Sequence, residues 1–344
     1  MGLGTMIIRG SACAGTSMFF KCSCCFLFIA ALSSLAGCQK VKTLLPHSSF
    51  HKKVGWKAEE YFHDPQVVAL CHAIQADDLK EMERLIKAGA DINAQGKGKM
   101  TPLMWALPDN KLDRFKLLLE HGANPNVITE DDFGTRGVIM QGTSVTQKAA
   151  ETWFPGYFEA VFDHGGDPNI ELRTQVLGRG DSPLQTVIQS PVSDKRAKIQ
   201  TLLDKGADIN HINENEQTPA KLAAVNKEWD IVLMLLKAGA DHTIYTNAES
   251  NERLVHNMLT RAVNIDYYNR WTPKLKMDFD AVLDWLNRHG ESVEDAREDL
   301  KRWNAWNRTT GEYQLEMAVE VAERKARDAK AKQQPANGAK NANP

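Results

Sequence analysis

The sequence predicts an all-α protein built as an array of repeated helix pairs, because one short phrase recurs along the chain. The phrase consists of an apolar helix end, a glycine, a small residue and then Asp or Asn. Its five copies are Leu85–Asn93, Leu118–Asn126, Phe162–Asn169, Leu203–Asn210 and Leu236–Asp241. Their first glycines are separated by 33, 43, 41 and 33 residues. Such a period is the signature of stacked repeats, and the two longer steps indicate insertions of about ten residues.

A helix start signal lies between successive phrases. Thr101-Pro102-Leu103 and Thr218-Pro219-Ala220 each begin twelve residues after a phrase glycine, whereas Ser182-Pro183-Leu184 and the weaker Thr143-Ser144-Val145 follow the longer steps. Thr or Ser can cap a helix, and Pro at the first helical position lacks only a donor that would be unpaired anyway. The glycine that ends the preceding helix adopts a left-handed conformation at no steric cost. The phrases therefore predict helix ends and these triplets predict helix starts.

This combination resembles the ankyrin repeat, a unit of 33 residues in which a T-P-L-H-x-A pattern opens the first helix. The resemblance implies a solenoid of about five helix-turn-helix repeats over residues 63–317, including a C-terminal capping helix, with finger loops along one edge. The histidine of the pattern is missing, since Met104, Gln185 and Lys221 stand in its place. Residues 318–344 are rich in charge and lack apolar periodicity, which predicts a partly disordered tail.

Apolar spacing predicts the helices of the first repeat over residues 65–76 and 78–87. The predicted inner side consists of Val68, Leu70, Cys71, Ile74, Leu79, Met82, Leu85 and Ile86. We interpret Trp105 and Trp229 as core residues of later repeats, because large aromatics at helical spacing usually fill a core.

Beyond Asp241 the pattern weakens into a stretched last repeat. This repeat includes residues 253–259 and 279–290, and we expect a loop from Ile265 to Lys276. Ser292 and Asp295 have the spacing of a capping box, which predicts the start of the terminal helix.

The N-terminal region has the layout of a bacterial lipoprotein signal. Lys21 precedes an apolar run, Cys22–Leu32, that is shorter than the roughly 20 residues a membrane-spanning helix needs. The run closes on Leu35-Ala36-Gly37-Cys38, which resembles the lipobox and implies cleavage before Cys38 and acylation of its sulfur. We therefore expect a signal peptide over residues 1–37, with Met18 as an alternative start, and a lipidated tether over 38–62. An uncleaved anchor helix is the alternative.

The same resemblance implies an address. Gln39 follows the cysteine, and by analogy with enterobacterial lipoproteins this implies the outer membrane. We therefore expect the protein to be lipid-anchored on the periplasmic side of the envelope, in contact with the membrane through Cys38.

Composition and motif content argue against several other functions. A net charge of -2 gives no indication of nucleic-acid binding. Five of the six cysteines lie within the first 38 residues, so processing leaves no disulfide framework, and we interpret Cys71 as a buried core residue. His121, His164 and His289 precede phrase glycines, as helix-end residues do.

The remaining motif candidates have ordinary structural interpretations. The acidic run 130–132 lacks the ligand spacing of a calcium loop, and residues 96–99 predict a hairpin tip. No catalytic residue, metal ligand or cofactor is predicted.

Two insertions, over residues 127–140 and 170–180, lie where the ankyrin fold projects its finger loops. Insertions in a repeat array map to one face and often to the binding face, although tolerated surface drift explains them equally well. The partner-contact residues predicted from the finger positions are Lys97, Lys99, Met100, Phe133, Arg136, Arg173, Arg179, Asn213 and Glu214.

Ankyrin lipoproteins of this kind resemble immunity proteins that accompany secreted antibacterial effectors, especially the lipases of type VI secretion. That resemblance implies a protein that blocks a periplasmic phospholipase by direct binding. One alternative is an envelope scaffold or accessory partner of a periplasmic enzyme, such as a stress-defence enzyme. The other is an enzyme with a site near residues 265–276, although no acid-base constellation accompanies that loop.

Overall fold

A computed structural model divides the chain into two units, Met1–Ser48 and Ser49–Pro344. The structure describes residues 50–53, 55–133, 139–172, 180–245, 253–267 and 270–306, all of which belong to the second unit. The predicted signal peptide, Cys38 and the tail 318–344 lie outside the described residues, as do Arg136, Arg173 and Arg179.

Within the described ranges the fold is helical, and the pairing of extended backbone is limited to one isolated antiparallel bridge between Phe133 and Ile139. The helices are α1 (Phe50–Lys53), α2 (Ala58–Tyr61), α3 (Pro65–Ala76), α4 (Leu79–Lys87), α5 (Pro102–Trp105), α6 (Leu112–Glu120), α7 (Val145–Glu151), α8 (Tyr157–Asp163), α9 (Pro183–Gln189), α10 (Lys195–Asp204), α11 (Pro219–Val225), α12 (Trp229–Lys237), α13 (Leu254–Tyr267), α14 (Pro273–Arg288) and α15 (Val293–Trp306).

From α3 to α14 the helices form six successive pairs, which we number repeats 1 to 6. Each pair ends at a glycine in the left-handed region, with φ between 85° and 101°. These residues are Gly89, Gly122, Gly165, Gly206, Gly239 and Gly290. The first helices contact one another along much of the array, and α15 packs on α13 in the same way. Five of the pairs end at the predicted phrases, and the sixth is the predicted stretched last repeat, followed by α15 as the capping helix.

The predicted start signals cap the helices as expected, with one shift. The side chains of Thr101, Ser182 and Thr218 accept a hydrogen bond from the backbone amide three residues later. In repeat 3 the cap is Ser144, not Thr143, and its Oγ lies 3.2 Å from the Gln147 amide. Thr143 instead pairs through its backbone with Thr129 in the preceding loop.

Two details of the predicted helices are wrong. Leu79 is 38% exposed, because it is the first residue of α4 and lies outside the packed side of that helix. The expected loop from Ile265 to Lys276 is mostly helix, since α13 reaches Tyr267 and α14 starts at Pro273. A Thr-Pro signal opens α14, where the Thr272 hydroxyl accepts from the Leu275 amide at 3.1 Å.

The core runs along the array in two hydrophobic clusters, one over repeats 1 to 3 and one over repeats 3 to 6. Cys71, Trp105 and Trp229 are buried, as predicted. Burial raises the pKa of the Cys71 thiol, so this side chain behaves as a small apolar residue. Ser292 caps α15, as its spacing predicts, by accepting from the Asp295 amide at 3.1 Å. Among the described residues, no helix is both long enough and apolar enough to cross a membrane.

Candidate protein-binding surface

The last Asn of each phrase joins one repeat to the next. In repeat 1 the Asn93 amide donates to the Gly122 carbonyl at 3.0 Å, while its Oδ1 accepts from the Asn124 amide at 2.7 Å. Asn126 makes the same pair of bonds to Gly165 and Asp167. Two further steps use Asn169 and Asn210. We call this series the asparagine ladder, and it fixes the spacing between the loops that follow the glycines.

The first Asp or Asn of each phrase prepares the ladder residue locally. The Asp91 carboxylate accepts from the Asn93 amide at 2.9 Å, and Asn124, Asp167 and Asp208 repeat this bond two residues ahead. Asx turns of this kind hold the chain in a defined bend. The phrase is therefore a helix stop, a turn and an inter-repeat clamp within nine residues.

The ladder stops at repeat 5, where Thr243 replaces the asparagine and its hydroxyl donates back to Asp241 at 2.7 Å. A buried ionic cluster joins repeats 5 and 6 instead. Glu291 lies 3.0 Å from His242 and 3.0 Å from the Arg253 guanidinium, and its side chain is 1% exposed. This junction therefore depends on charge, unlike those before it.

Glutamine side chains brace two of the loops from below. Gln147 Nε2 donates to the carbonyls of Ile170 and Asp181 at 2.7 and 2.8 Å, and so ties together both ends of the loop after repeat 3. Gln185 does the same for the next loop, through His211 and Gln217. Both glutamines occupy the place of the missing histidine in the start pattern, so the substitution preserves an amide or imidazole donor.

A histidine does occupy that place in repeat 6, whose first helix has no Thr-Pro start signal. His256 lies three residues after Arg253, the residue before α13, and its Nδ1 accepts from the Arg253 amide at 3.2 Å. Its other nitrogen contacts the Asp299 carboxylate of α15 at 3.1 Å. The buried pair therefore fastens the terminal helix to the array.

Adjacent loops are also joined directly. We name residues 91–100, 124–143, 167–181 and 208–217 fingers 1 to 4. The Glu130 amide donates to the Gly98 carbonyl at 2.9 Å, and its carboxylate lies 2.7 Å from Lys99, which closes finger 2 on finger 1. Asn213 donates to Asp181 at 2.7 Å, which closes finger 4 on finger 3. The described parts of the fingers therefore form two linked pairs.

The inner side of repeats 1 and 2 is covered by the chain itself. The sequence predicts a tether up to residue 62, but residues 50–53 and 55–62 pack against α5. Trp105 is surrounded by rings of this segment, with centroid distances of 4.8 Å to His51, 5.4 Å to Trp56 and 5.7 Å to Tyr61. We call residues 50–62 the N-terminal strap. The strap is held by its aromatic residues, which pack against Trp105, although the polar and basic residues before it lead us to predict a tether.

The strap runs from one edge of the helices to the fingers. At its start the Phe50 amide donates to Asp109, in the turn between α5 and α6, at 2.7 Å. At its end the Tyr61 ring lies 5.8 Å from the ring of Phe133 in finger 2. Gly96 of finger 1 lies so close that a Cβ there would be 2.3 Å from the Tyr61 carbonyl. The strap therefore supports the first two fingers from the inner side.

Two buried polar side chains fasten the strap and the turn beneath it. His51 is fully buried, and its Nε2 contacts the Trp105 carbonyl at 2.7 Å. Desolvation lowers the pKa of His51, although the carbonyl contact opposes that shift. The Arg114 guanidinium donates to the carbonyls of Ile74, Ala106 and Pro108, and burial lowers its pKa as well. Asp109 lies 3.8 Å from Arg114 and 3.7 Å from His51.

Comparison with known proteins identifies the type of repeat. Residues 27–129 match the family model of ankyrin repeats in three copies. The chain carries ankyrin repeats. The match covers the strap and repeats 1 and 2 and ends within finger 2, whereas finger 3 and the weakened last pair lie beyond it.

Related sequences share part of the chain. A mitochondrial disaggregase of Bos taurus is 28% identical over 167 residues, which is 48% of this chain and 22% of the relative. An ankyrin repeat protein of Fowlpox virus (strain NVSL) is 28% identical over 150 residues, or 44% of this chain and 19% of the relative. The chain therefore spans about a fifth of the length of these relatives.

Solved structures of ankyrin proteins are similar in fold. The ankyrin repeat domain of Bcl-3 has a TM-score of 0.44 at 20% identity, with 57% of this chain and 81% of that one covered. A chain of the complex between a predatory endopeptidase of Bdellovibrio bacteriovorus and an immunity protein has a TM-score of 0.44 at 21% identity. The match covers 57% of this chain and 93% of that one.

The ankyrin array places the predicted contact residues in two groups. Lys97 and Glu214 are exposed at finger tips, and Lys99 is half-buried in its pair with Glu130. Met100, Phe133 and Asn213 are buried, with at most 3% exposure, so they hold the fingers in shape and cannot touch a partner in this conformation. Phe133 packs on Tyr61 of the strap, Asn213 bonds to Asp181 of finger 3, and Met100 belongs to the hydrophobic core, whereas the sequence pattern predicts loop surface at all three positions.

The histidines predicted as helix-end residues have that role. The Nδ1 atoms of His121, His164 and His289 each contact the carbonyl oxygen four residues earlier, at 2.9, 2.8 and 2.7 Å. The acidic run in finger 2 is exposed, as predicted, and Gly98 has a positive φ at the hairpin tip. In the part of the chain that the structure describes, no group of three or more His, Cys, Asp or Glu side chains is arranged to hold a metal ion.

Proposed function

We propose that this protein is a lipid-anchored periplasmic immunity protein, in which the ankyrin array neutralises an antibacterial phospholipase effector by binding it. The ankyrin repeat is typically a protein-interaction scaffold, and the fingers are its projecting edge. The observation that carries the proposal is the linkage between fingers, through Glu130 with Gly98 and Asn213 with Asp181. Loops already held in place lose less conformational freedom when a partner binds, so more of the contact energy appears as affinity.

The address supports the phospholipase as the partner. Leu35-Ala36-Gly37-Cys38 resembles a lipobox, and lipid on Cys38 would hold the array in the compartment where a membrane-degrading effector acts. Acyl chains contribute about 0.8 kcal/mol per buried methylene, so several chains give stable anchoring. An inhibitor anchored to the membrane would be concentrated at the surface on which the phospholipase acts.

The proposal is tested with the full chain and any phospholipase that sequencing finds encoded beside its gene. We expect stoichiometric binding by calorimetry and loss of lipase activity on phospholipid vesicles once the two proteins are equimolar. Charge reversal at the exposed finger tips, Lys97→Glu and Glu214→Lys, should weaken binding about 10-fold or more if these residues lie in the interface. Lys80→Glu is the matched control, because Lys80 is exposed in the first turn of α4, at the end of that helix opposite finger 1.

Full lipase activity in the presence of excess protein would rule out the immunity function. Equal weakening by the finger variants and by the α4 control would place the interface elsewhere. Cells that carry the effector and lack this gene should lyse, and restoring the gene should rescue them.

The second candidate is an envelope scaffold or accessory partner of a periplasmic enzyme, such as a stress-defence enzyme. The same linked fingers favour it, because they serve any protein partner equally. Loss of the gene would then lower the activity or change the location of that enzyme without making cells sensitive to a toxin. Purifying the tagged chain from periplasm and identifying the bound protein separates the two candidates.

A further inference from the structure

An exposed aromatic pair lies on the edge of the array opposite the fingers. Trp153 and Phe154 belong to the turn between α7 and α8 and are 55% and 37% exposed, with ring centroids 6.2 Å apart. Large aromatics of this exposure are rare among the described residues, where Trp105 and Trp229 are both buried. Neither residue is part of a finger, so the proposed inhibitory surface does not use them.

The pair is held in a defined position. Lys198 is 3% exposed, and its Nζ donates to the Thr152 carbonyl at 2.6 Å, just before the pair. The Thr152 hydroxyl accepts from the Phe154 amide at 3.2 Å, which closes a small turn. After the pair, Gly156 has a φ of 85° and packs against Leu112, where a Cβ would come within 2.6 Å of that side chain. The two rings therefore project from a braced turn.

The charges beside the pair are already matched. Lys198 lies 3.7 Å from Asp194 and also over the ring of Phe158, while Lys148 pairs with Glu151. Both cations beside the rings thus have acidic neighbours, so the surface offers apolar area without an unpaired positive charge. A protruding, neutral aromatic tip suits the interface of a bilayer, which requires neither a complementary pocket nor a counter-charge.

The chain enters the array at the same edge. Phe50 bonds to Asp109 in the turn of repeat 2, and Leu112, three residues further on, contacts the aromatic turn of repeat 3. Cys38 precedes Phe50 by twelve residues, which span at most about 40 Å when fully extended. A lipid on Cys38 would therefore keep this edge within reach of the membrane.

We infer that Trp153 and Phe154 form a membrane-contact tip that orients the lipid-anchored array on the bilayer surface. This inference rests on the lipid attachment proposed above and does not depend on the identity of the protein partner. Because the neighbouring charges are paired, contact with zwitterionic lipid is expected without any requirement for anionic lipid.

The test places an environment-sensitive dye at the tip. The processed full chain carrying Trp153→Cys is labelled with a nitrobenzoxadiazole maleimide; acylated Cys38 has no free thiol, and Cys71 is buried. The labelled chain is bound to phosphatidylcholine vesicles, and emission is recorded with and without lipids that carry a quenching bromine. The matched control is Met277→Cys on α14, which is 64% exposed and three repeats away.

A blue shift with quenching at position 153, and water-like emission at 277, supports the inference. Water-like emission at 153 on vesicle-bound protein overturns it and leaves the rings available to a protein. Equal shifts at both positions overturn it as well, since they indicate contact without orientation. A chain that stays in the aqueous phase of a detergent partition lacks the lipid and overturns the inference together with the anchor. None of these results decides whether the lipase is inhibited, because binding measured by calorimetry and the finger variants report on that function separately.

Discussion

The Asn169 side chain holds the Gly206 carbonyl at 3.0 Å and the Asp208 amide at 2.7 Å, and so fixes repeat 4 to repeat 3 across 37 residues of chain. Every step of the asparagine ladder places a short polar side chain against backbone groups that a helix end leaves unpaired. Stability in a repeat array is a sum of such neighbour terms, so each rung can be tested separately.

Asn169→Ala should lower the free energy of unfolding by about 1–2 kcal/mol, because two inter-repeat hydrogen bonds of about 0.5–1.5 kcal/mol each are lost. Urea titration followed by circular dichroism measures the change. Asn215→Ala is the control, since Asn215 lies exposed in finger 4 outside the ladder. An equal loss in both variants would mean that the ladder adds nothing beyond loop composition.

Gln147→Leu should destabilise the protein by about 1–3 kcal/mol, because it removes the side-chain donor from the Ile170 carbonyl and one of the two donors that reach the Asp181 carbonyl. Hydrogen exchange should accelerate first at the Leu172 amide, which donates to the Asp181 carbonyl at 3.0 Å at the base of finger 3. Gln147→His should recover part of the loss, since imidazole is the donor that the ankyrin pattern places there. Unchanged exchange in the leucine variant would contradict the bracing role.

The His51 burial predicts a pH dependence with a definite sign. Its folded pKa lies below the ordinary value of about 6.5, so the unfolded chain takes up the proton more readily. The stability that His51 contributes is therefore present above about pH 6.5 and is lost as the pH falls through and below that value. The midpoint of urea unfolding, compared between about pH 7.5 and pH 5, should fall less in His51→Gln than in the unchanged chain.

Exposed His63 provides the control for that comparison. His63→Gln should retain the full pH dependence of the parent. A parent and a His51 variant with parallel pH curves would show that burial of the imidazole has no thermodynamic consequence.

Glu291→Ala should cost about 3–5 kcal/mol, because it leaves the Arg253 guanidinium, 11% exposed, without its carboxylate. Replacing both charges, as Glu291→Leu with Arg253→Met, should cost much less than the sum of the single changes. A double-mutant cycle from denaturant unfolding measures this coupling. Additive losses would mean that the two side chains act independently.

The helix framework followed from the sequence because its signals are local. A cap such as Thr218 and a stop such as Gly206 act within a few residues, so α11 and the end of α10 could be placed without knowing the fold. The third Thr-Pro signal, at Thr272, was local as well, yet it opened the second helix of a pair and lay outside the expected position.

The burial or exposure of the loop residues could not be predicted from the sequence in the same way. Phe133 and Asn213 stand in loops, and only their distant neighbours, Tyr61 and Asp181, make them buried. The strap is decided by contacts between residue 51 and residue 105, and no window of sequence contains both. The exposure of Trp153 and Phe154 could not be predicted either, because a position in a turn between helices does not indicate whether its side chain faces solvent.

The strap also sets the order in which the chain can fold. His51 and Trp56 pack on Trp105, which is synthesised about fifty residues later. The strap therefore cannot form its contacts until that part of the chain is available, and such non-local contacts form slowly. The other repeats need only an immediate neighbour, which makes their contacts local and quick to form. Assembly should therefore spread from the middle of the array, and the N-terminal end should close last, with transient exposure of its tryptophans while the chain folds.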